Sequence, residues 1–351
     1  MKFEVLIITS GGSQLISQIA ALNSISINRQ IVSVIYNGVF RKDLDDFLIS
    51  VCDFFSFDYI GSINFNLQPN QISQYKNLLF YLTGHHPLEK EIRKNFSILC
   101  DYRFLDLVSI PIRVKMPQDS VLLSYLLPKR VQYVADGVID NVPHRNLKKK
   151  TPFVLNRFLS KFPVNEKIYT PNHLVNDLRK VGKPHVVDLK TTLGQFSKIP
   201  LVKSYESWFV VEKPDAIIFS QHYSLTEDVS LDQEVNFYKA IGASLYRDGC
   251  KRILFKPHPR DLNEKIEVLK LRNDNLFIFQ PQCFQGLPIE VLYNTIKEEQ
   301  VICATGNSSA PLFFKSTNTV LTFSSRKYLS NELNFKISSF SNEHQLAQKD
   351  I

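Results

Sequence analysis

Short runs of β-forming residues, each followed by a stretch of helical character, recur along most of the chain, and this alternation limits the fold more than any other feature. In the first half the runs are residues 5–8, 31–36, 57–60 and 131–134. The helical stretches there end at Leu22 and span 44–55 and 72–82. In the second half the runs are 216–219, 252–255, 276–279, the stretch around Ile302 and 319–323. Helical segments at 232–247, 288–297 and from Pro311 separate them. That rhythm predicts mostly parallel sheets covered by helices, an α/β chain with two doubly wound domains. Length and composition agree: 351 residues exceed one typical domain, and a hydrophobic fraction of 44% fills two cores of ordinary size. Twelve glycines and 17 prolines without repeats or low-complexity stretches exclude a fibrous, disordered or solenoid chain.

In open α/β sheets, ligands bind outside the carboxyl ends of the strands, so those ends are where chemistry is sought. The run 252–255 is stopped by Lys256-Pro257-His258-Pro259-Arg260, which holds one imidazole between two prolines at a strand end. Lys256 and Arg260 would make that mouth cationic and suited to phosphate. A turn histidine that only packs its ring is the plain alternative. The strand around Ile302 runs into Gly306-Asn307-Ser308-Ser309-Ala310-Pro311, a tight turn and helix start. Its glycine admits close backbone approach, and its hydroxyls and amides suit an anion, although Ser and Asn are also ordinary N-caps. Between these two segments Pro288 opens a helix with Glu290 in its first turn, placed to offset the helix dipole or to bridge ribose hydroxyls. Upstream, Ala135-Asp136-Gly137 follows the run 131–134 and sets another carboxylate at a strand end, in a dipeptide that is also a common turn. Gln221-His222 follows the run 216–219, and Gly11, Gly12 and Ser13 follow the first strand. Both are expected to line the ligand cleft, since Gly-Gly-Ser lacks the third glycine of a dinucleotide fingerprint.

The order Asp-Gly, His-Pro, Glu, Ser-Ser resembles the bacterial sialyltransferases of the GT-B type, the lipooligosaccharide and capsule groups related to polysialyltransferases. The most specific part is His258-Pro259, with Glu290 32 residues later and Ser308-Ser309 beginning 18 further on. Ala135 stands where that family has its first acidic residue. The resemblance implies two Rossmann-like domains facing a central cleft, with no metal and no cofactor. It makes Asp136 the general base and His258 the group that contacts the donor phosphate and assists departure of the nucleotide. Glu290 would hold the ribose, and Ser308 and Ser309 the phosphate oxygens. The donor would be a CMP-sugar and the acceptor a glycan or glycolipid. One departing phosphate can be neutralised by an imidazolium with hydroxyl and amide donors, and a carboxylate on the opposite face can take the acceptor's proton. Single displacement of this kind inverts the anomeric centre. CMP-Kdo or CDP-glycerol as donor fits the same residue types.

Residues 145–203 carry 13 Lys and Arg against Glu166, Asp177 and Asp188, a surplus above the formal +8 of the whole chain. With Pro143, Pro152, Pro163, Pro171, Pro184 and Pro200 this stretch is expected to hold the interdomain connection and a basic face. Lysine-rich stretches are commonly solvated surface, and this one also suits an anionic membrane surface or an anionic acceptor. Phe153, Leu155, Phe158, Leu159 and Phe162 interleave there with Arg157 and Lys161, as in an interfacial or a core-packed amphipathic helix. The expected division is 1–160 for an acceptor-side domain with the base, 161–205 for the connection, 206–325 for the CMP-sugar domain, and 326–351 for a tail that frays or crosses back to the first domain.

A pI of about 9.1 raises nucleic-acid binding as the competing reading. The aromatics sit mostly within apolar runs and no recognised nucleic-acid motif is present, so no nucleic acid is expected as a partner. Asp43-Leu44-Asp45 sits at a helix start and reads as a solvated first-turn cluster, not as a metal-binding Asp-x-Asp. His85-His86-Pro87 lacks paired ligands and has no assigned role. Five widely spaced cysteines without Cys-x-x-Cys suggest reduced, mostly buried thiols. Only four strongly apolar residues, Val5 to Ile8, precede Thr9 and Ser10, too few for an export signal or a membrane span. A cytoplasmic protein, peripheral on the inner membrane face, is the expectation. A homodimer is compatible with it.

Overall fold

The structure, a computed structural model, describes residues 3–25, 30–67, 88–111, 117–135, 167–171, 183–258, 261, 263–272 and 276–351. The chain divides into two compact units, Met1–Gly194 and Gln195–Ile351. Outside the described residues lie the helix expected at 72–82, His85-His86-Pro87, Asp136-Gly137, the amphipathic stretch 153–162, Pro259 and Arg260.

In the first unit, β1 (Phe3–Thr9), α1 (Gly12–Asn23), β2 (Gln30–Asn37), α2 (Lys42–Phe55), β3 (Asp58–Ile63), α3 (Glu89–Asn95), β4 (Leu107–Pro111), α4 (Pro117–Leu126), β5 (Val131–Val134), β6 (Lys167–Thr170), β7 (Lys183–Val186) and α5 (Leu189–Phe196) follow in order. The described strands form one seven-stranded sheet in the order β3-β2-β1-β4-β5-β6-β7, with every pairing parallel. The central strands are apolar along their length because each is covered on both faces. Val5, Leu6, Ile7 and Ile8 of β1 are all buried. Asp43 and Asp45 fall in the first turn of α2, as their setting predicts.

Composition assigns residues 161–205 to a connection, but the structure places β6 and β7 there, as the last two strands of the first sheet. Among the described strands β7 is an edge, and an edge strand tolerates Pro184, which has no N–H for a ladder, because one of its sides has no described neighbour to bond. Tyr169 of β6 packs edge-on against His185 of β7, with ring centroids 5.0 Å apart.

The second unit runs α6 (Pro200–Glu212), β8 (Ala216–Phe219), α7 (Tyr223–Thr226), α8 (Leu231–Arg247), β9 (Ile253–Lys256), α9 (Asn263–Leu271), β10 (Phe277–Phe279), α10 (Tyr293–Glu298), β11 (Ile302–Thr305), β12 (Val320–Ser324), α11 (Asn331–Glu343) and β13 (Ala347–Asp350). Its six described strands lie parallel in the order β10-β9-β8-β11-β12-β13. Counted within the unit, this is the 3-2-1-4-5-6 order of the dinucleotide-binding fold, with its switch point between β8 and β11. The tail 326–351 neither frays nor leaves for the first unit: it supplies α11 and the sixth strand. β13 is an edge strand with a largely exposed, polar sequence, and so carries no apolar signal.

α8 shows how local sequence fixes the core. Ser230 and Gln233 form a reciprocal capping box, and Val235, Tyr238, Ile241, Gly242 and Leu245 make one buried stripe at helical spacing. Gly242 lets this helix lie against β10, for a Cβ there would stand 2.5 Å from the Phe277 ring. Phe237, Tyr238, Phe255, Phe277 and Leu269 close the core beneath.

Candidate functional site

The carboxyl ends of β9, β8 and β11 are adjacent because these strands are neighbours in the sheet, β8 lying between the other two. Each ends in a segment carrying chemistry: Lys256-Pro257-His258 after β9, Ser220-Gln221-His222 after β8, and Gly306-Asn307-Ser308-Ser309 after β11. The His258 imidazole lies against that of His222, with ring centroids 4.3 Å apart and planes tilted by 33°. On the other side, the Tyr223 hydroxyl donates to Asn307 Oδ1 at 2.8 Å. His258 and the Gly306 turn are thus drawn to one place by residues 222 and 223.

Gly306 is required by that arrangement. A Cβ at this position would stand 2.1 Å from the Tyr223 hydroxyl oxygen, and Tyr223 cannot swing away because it packs on Phe237 and stacks on Tyr238. Gly306→Ala is expected to destabilise the protein by about 1–3 kcal/mol, the usual size for overpacking a filled core. Melting of this variant alongside Gly306→Ala/Tyr223→Leu checks the cause. If removing the ring restores nothing, the contact is not the reason for the glycine. Beyond it the turn is braced by Ser308 N–H, which donates to Thr305 Oγ1 at 2.9 Å. Ser308 is buried. Ser309 is half-buried and begins the 3-10 turn Ala310–Phe314, with no capping bond from its side chain. The helix expected at Pro311 is this short 3-10 turn.

Beneath His258 lies a buried ionic network. Lys265 on α9 is 1% exposed, and its ammonium sits within 2.7 Å of Ser220 Oγ, the Gln221 carbonyl, Glu234 Oε1 and Asp261 Oδ1. The Tyr238 ring lies 4.8 Å from it. Asp261 turns its other oxygen to the His258 backbone N–H at 2.8 Å, and its own N–H donates to the His258 carbonyl at 2.9 Å. Burial pushes the Asp261 carboxyl above its ordinary pKa, against the opposing pull of Lys265. Glu234 accepts the N–H groups of Tyr223 at 3.2 Å and Ser224 at 2.8 Å, so the same ion cluster holds the segment after β8. Gln221 is fixed through its backbone: its N–H donates to the Tyr238 hydroxyl at 2.7 Å. The i,i+4 spacing of Asp261 and Lys265 was the one local signal of this network.

Lys256 differs from its expected role as an exposed charge at the mouth. Its side chain runs inward, and the ammonium donates to the carbonyls of Leu287 at 2.9 Å and Gln285 at 3.3 Å. It therefore straps the end of β9 to the loop that leads into Glu290. Pro288 caps a 3-10 turn, Ile289–Leu292, that carries Glu290 half-buried and continues directly into α10. Burial, with a smaller contribution from the nearby Glu290 charge, drives the Tyr205 hydroxyl far above its ordinary pKa.

In the first unit, Gly11 closes the turn from β1 and Gly12 and Ser13 open α1, also at a strand's carboxyl end. Ser10 N–H donates to Gln14 Oε1 at 2.8 Å, and among the described residues nothing comes within 4 Å of where a Cβ of Gly11 would stand. Asp136 follows the last described residue after β5, and its side chain lies outside the described residues. Cys52, Cys250 and Cys303 are buried free thiols, Cys100 is half-buried and Cys283 exposed. Among the described residues no helix is long and apolar enough to cross a membrane.

The sequence model of the alpha-2,8-polysialyltransferase family matches residues 99–322, well over half of the chain. The chain belongs to that family. This match spans β9, the Glu290 turn and the Gly306 turn, so the family region and the strand ends described above coincide. No curated protein matches in sequence. Among solved structures, Arabidopsis thaliana UGT89C1 complexed with UDP is 11% identical, with 99% of this chain and 86% of that chain covered and a TM-score of 0.51. A Polygonum tinctorium UDP-glucosyltransferase is 14% identical over 99% of this chain and 85% of that one, at a TM-score of 0.49. The Arabidopsis likeness shows the fold: two Rossmann-like α/β domains of the GT-B type. Family and fold together make this chain a glycosyltransferase of the sialyltransferase type, which takes a nucleotide-sugar donor and a glycan acceptor.

Proposed function

We propose that the chain is an inverting, metal-independent sialyltransferase that moves sialic acid from CMP-Neu5Ac to a bacterial surface glycan, lipooligosaccharide or capsule. The observation that carries this reading is the meeting of the His258 strand end and the Gly306 turn around the end of β8. A CMP-sugar releases a nucleoside monophosphate, so a single phosphate must be stabilised as the glycosidic bond breaks. An imidazolium at His258, with the hydroxyls and amides of Ser308 and Ser309, supplies fixed positive and dipolar charge for that purpose without a metal. Arg260, two residues further along the sequence, is assigned to the same anionic group. Glu290 takes the ribose hydroxyls. Asp136 acts as general base, accepting the proton of the acceptor hydroxyl as it attacks the anomeric carbon from the face opposite the departing CMP. The basic stretch 145–203 supports peripheral attachment to the anionic inner face of the membrane.

The test incubates the purified chain and an oligosialic acceptor with CMP-Neu5Ac, CMP-Kdo or CDP-glycerol, in chelator and in magnesium. Release of CMP with transfer from CMP-Neu5Ac alone, equal in both buffers, is expected. Turnover of CMP-Kdo or CDP-glycerol only would overturn the donor, and loss of activity in chelator would overturn the metal-free mechanism. In the same assay Asp136→Asn should reduce transfer by about 10²–10⁴-fold. Full activity in that variant would remove Asp136 from the mechanism.

A further inference from the structure

β8 is the strand beside the switch point, and the residues that follow it touch both flanking segments. His222 places its ring against His258 on the β9 side, while the adjoining Tyr223 reaches Asn307 and overlies Gly306 on the β11 side. His222 therefore stands between the two segments to which the phosphate is assigned. Its backbone is fixed independently of its ring: the His222 carbonyl accepts the Leu225 N–H at 3.1 Å and the Thr226 hydroxyl at 3.1 Å, and the next two N–H groups go to Glu234. The fold thus presents this half-buried side chain from a rigid base.

Two imidazoles 4.3 Å apart repel each other when both carry a proton, and an anion beside them removes that repulsion by pairing with both. The arrangement suits an oxyanion with several acceptor oxygens, which a monophosphate supplies and an uncharged sugar or nucleobase does not. We propose that His222 is a second phosphate-binding imidazole, closing with His258 on the phosphate of the nucleotide donor. This rests on the reading of the same site given under Proposed function. The sequence places His222 with Gln221 at a strand end that lines the cleft, but assigns it no part in holding the phosphate. The strand order does, by setting its side chain beside His258.

The experiment titrates the full chain calorimetrically with CMP and with cytidine, using the unaltered protein, His222→Gln, His222→Phe and His258→Gln. His222→Phe keeps a flat ring against His258 but offers no nitrogen. Both His222 variants are expected to lose about tenfold or more in CMP affinity while their cytidine affinity stays within about twofold. If His222→Phe binds CMP as the unaltered protein does, the ring serves packing alone and the inference falls. Equal losses for CMP and cytidine would also overturn it, because the defect would then not concern phosphate. If the His222 variants bind CMP normally while His258→Gln does not, the inference fails and the donor reading stands. Failure of the unaltered protein to bind CMP sinks both. A variant that melts far below the unaltered protein is replaced by His222→Asn, judged by the same CMP-to-cytidine ratio.

Discussion

Lys265→Met should lower stability by about 3–5 kcal/mol, the loss that follows when one member of a buried ionic cluster is removed and its partners stay behind. For a unit of this size that corresponds to a melting shift of roughly 10 °C. The size of the effect comes from what remains. Glu234 is fully buried and the Asp261 side chain nearly so, and both would lose the ammonium that compensates them. The pH dependence follows from Asp261, whose carboxyl is already raised by burial while Lys265 pulls it down. A carboxyl whose pKa is higher in the folded chain than in the unfolded chain favours folding below its unfolded value, and loses that contribution as pH rises through the folded one. Removing Lys265 deletes a lowering influence, so the folded value climbs further and the penalty at neutral pH grows. The gap between Lys265→Met and the unaltered protein should narrow as pH falls from about 7 to about 5. Adding Glu234→Gln to Lys265→Met should recover part of the loss. A gap below about 1 kcal/mol at neutral pH would mean that the cluster behaves as an exposed ion pair does.

His258→Ala should reduce sialyl transfer by about 10²–10³-fold while leaving the melting temperature close to that of the unaltered chain. Stability is spared because the turn is held through main-chain groups, by the two bonds between His258 and Asp261, and not by the imidazole. The loss should fall mainly on kcat, since the charge on the departing phosphate develops in the transition state. A kcat/KM within about threefold of the unaltered enzyme would remove His258 from the reaction.

Much of this site can be read from the chain before any coordinates. The strands ending at Lys256 and Thr305 declare themselves because a parallel strand covered on both faces must be apolar along its length. Since ligands gather at carboxyl ends, His258 and the Gly306 turn follow from those strands directly. What stayed hidden depends on partners distant in sequence. Lys265 lies in a helix segment rich in Glu and Lys that looks solvent-facing, and its burial is explained only by Glu234, 31 residues away, and Ser220, 45 away. Lys256 was legible as a cation but not in its direction, because a lysine stem is long enough to deliver its charge to carbonyls on the far side of a loop. Edge strands were missed for the opposite reason. Among the described strands β7 and β13 are paired on one side alone, and their Pro, Gln, Lys and Asp residues satisfy that position without an apolar pattern. His222 was in plain view, yet its neighbour is set by strand order, which no local pattern contains.

The inward course of Lys256 has a consequence for how such enzymes change donors. Because one ammonium fastens the β9 terminus to the carbonyls of residues 285 and 287, the segment assigned to phosphate and the segment assigned to ribose are mechanically one part. Evolution toward a different activated sugar could not easily retune one half and leave the other. A Glu290-bearing loop transplanted from a relative would arrive without its anchor unless the strand end came with it, so exchanges of donor preference should involve both stretches together.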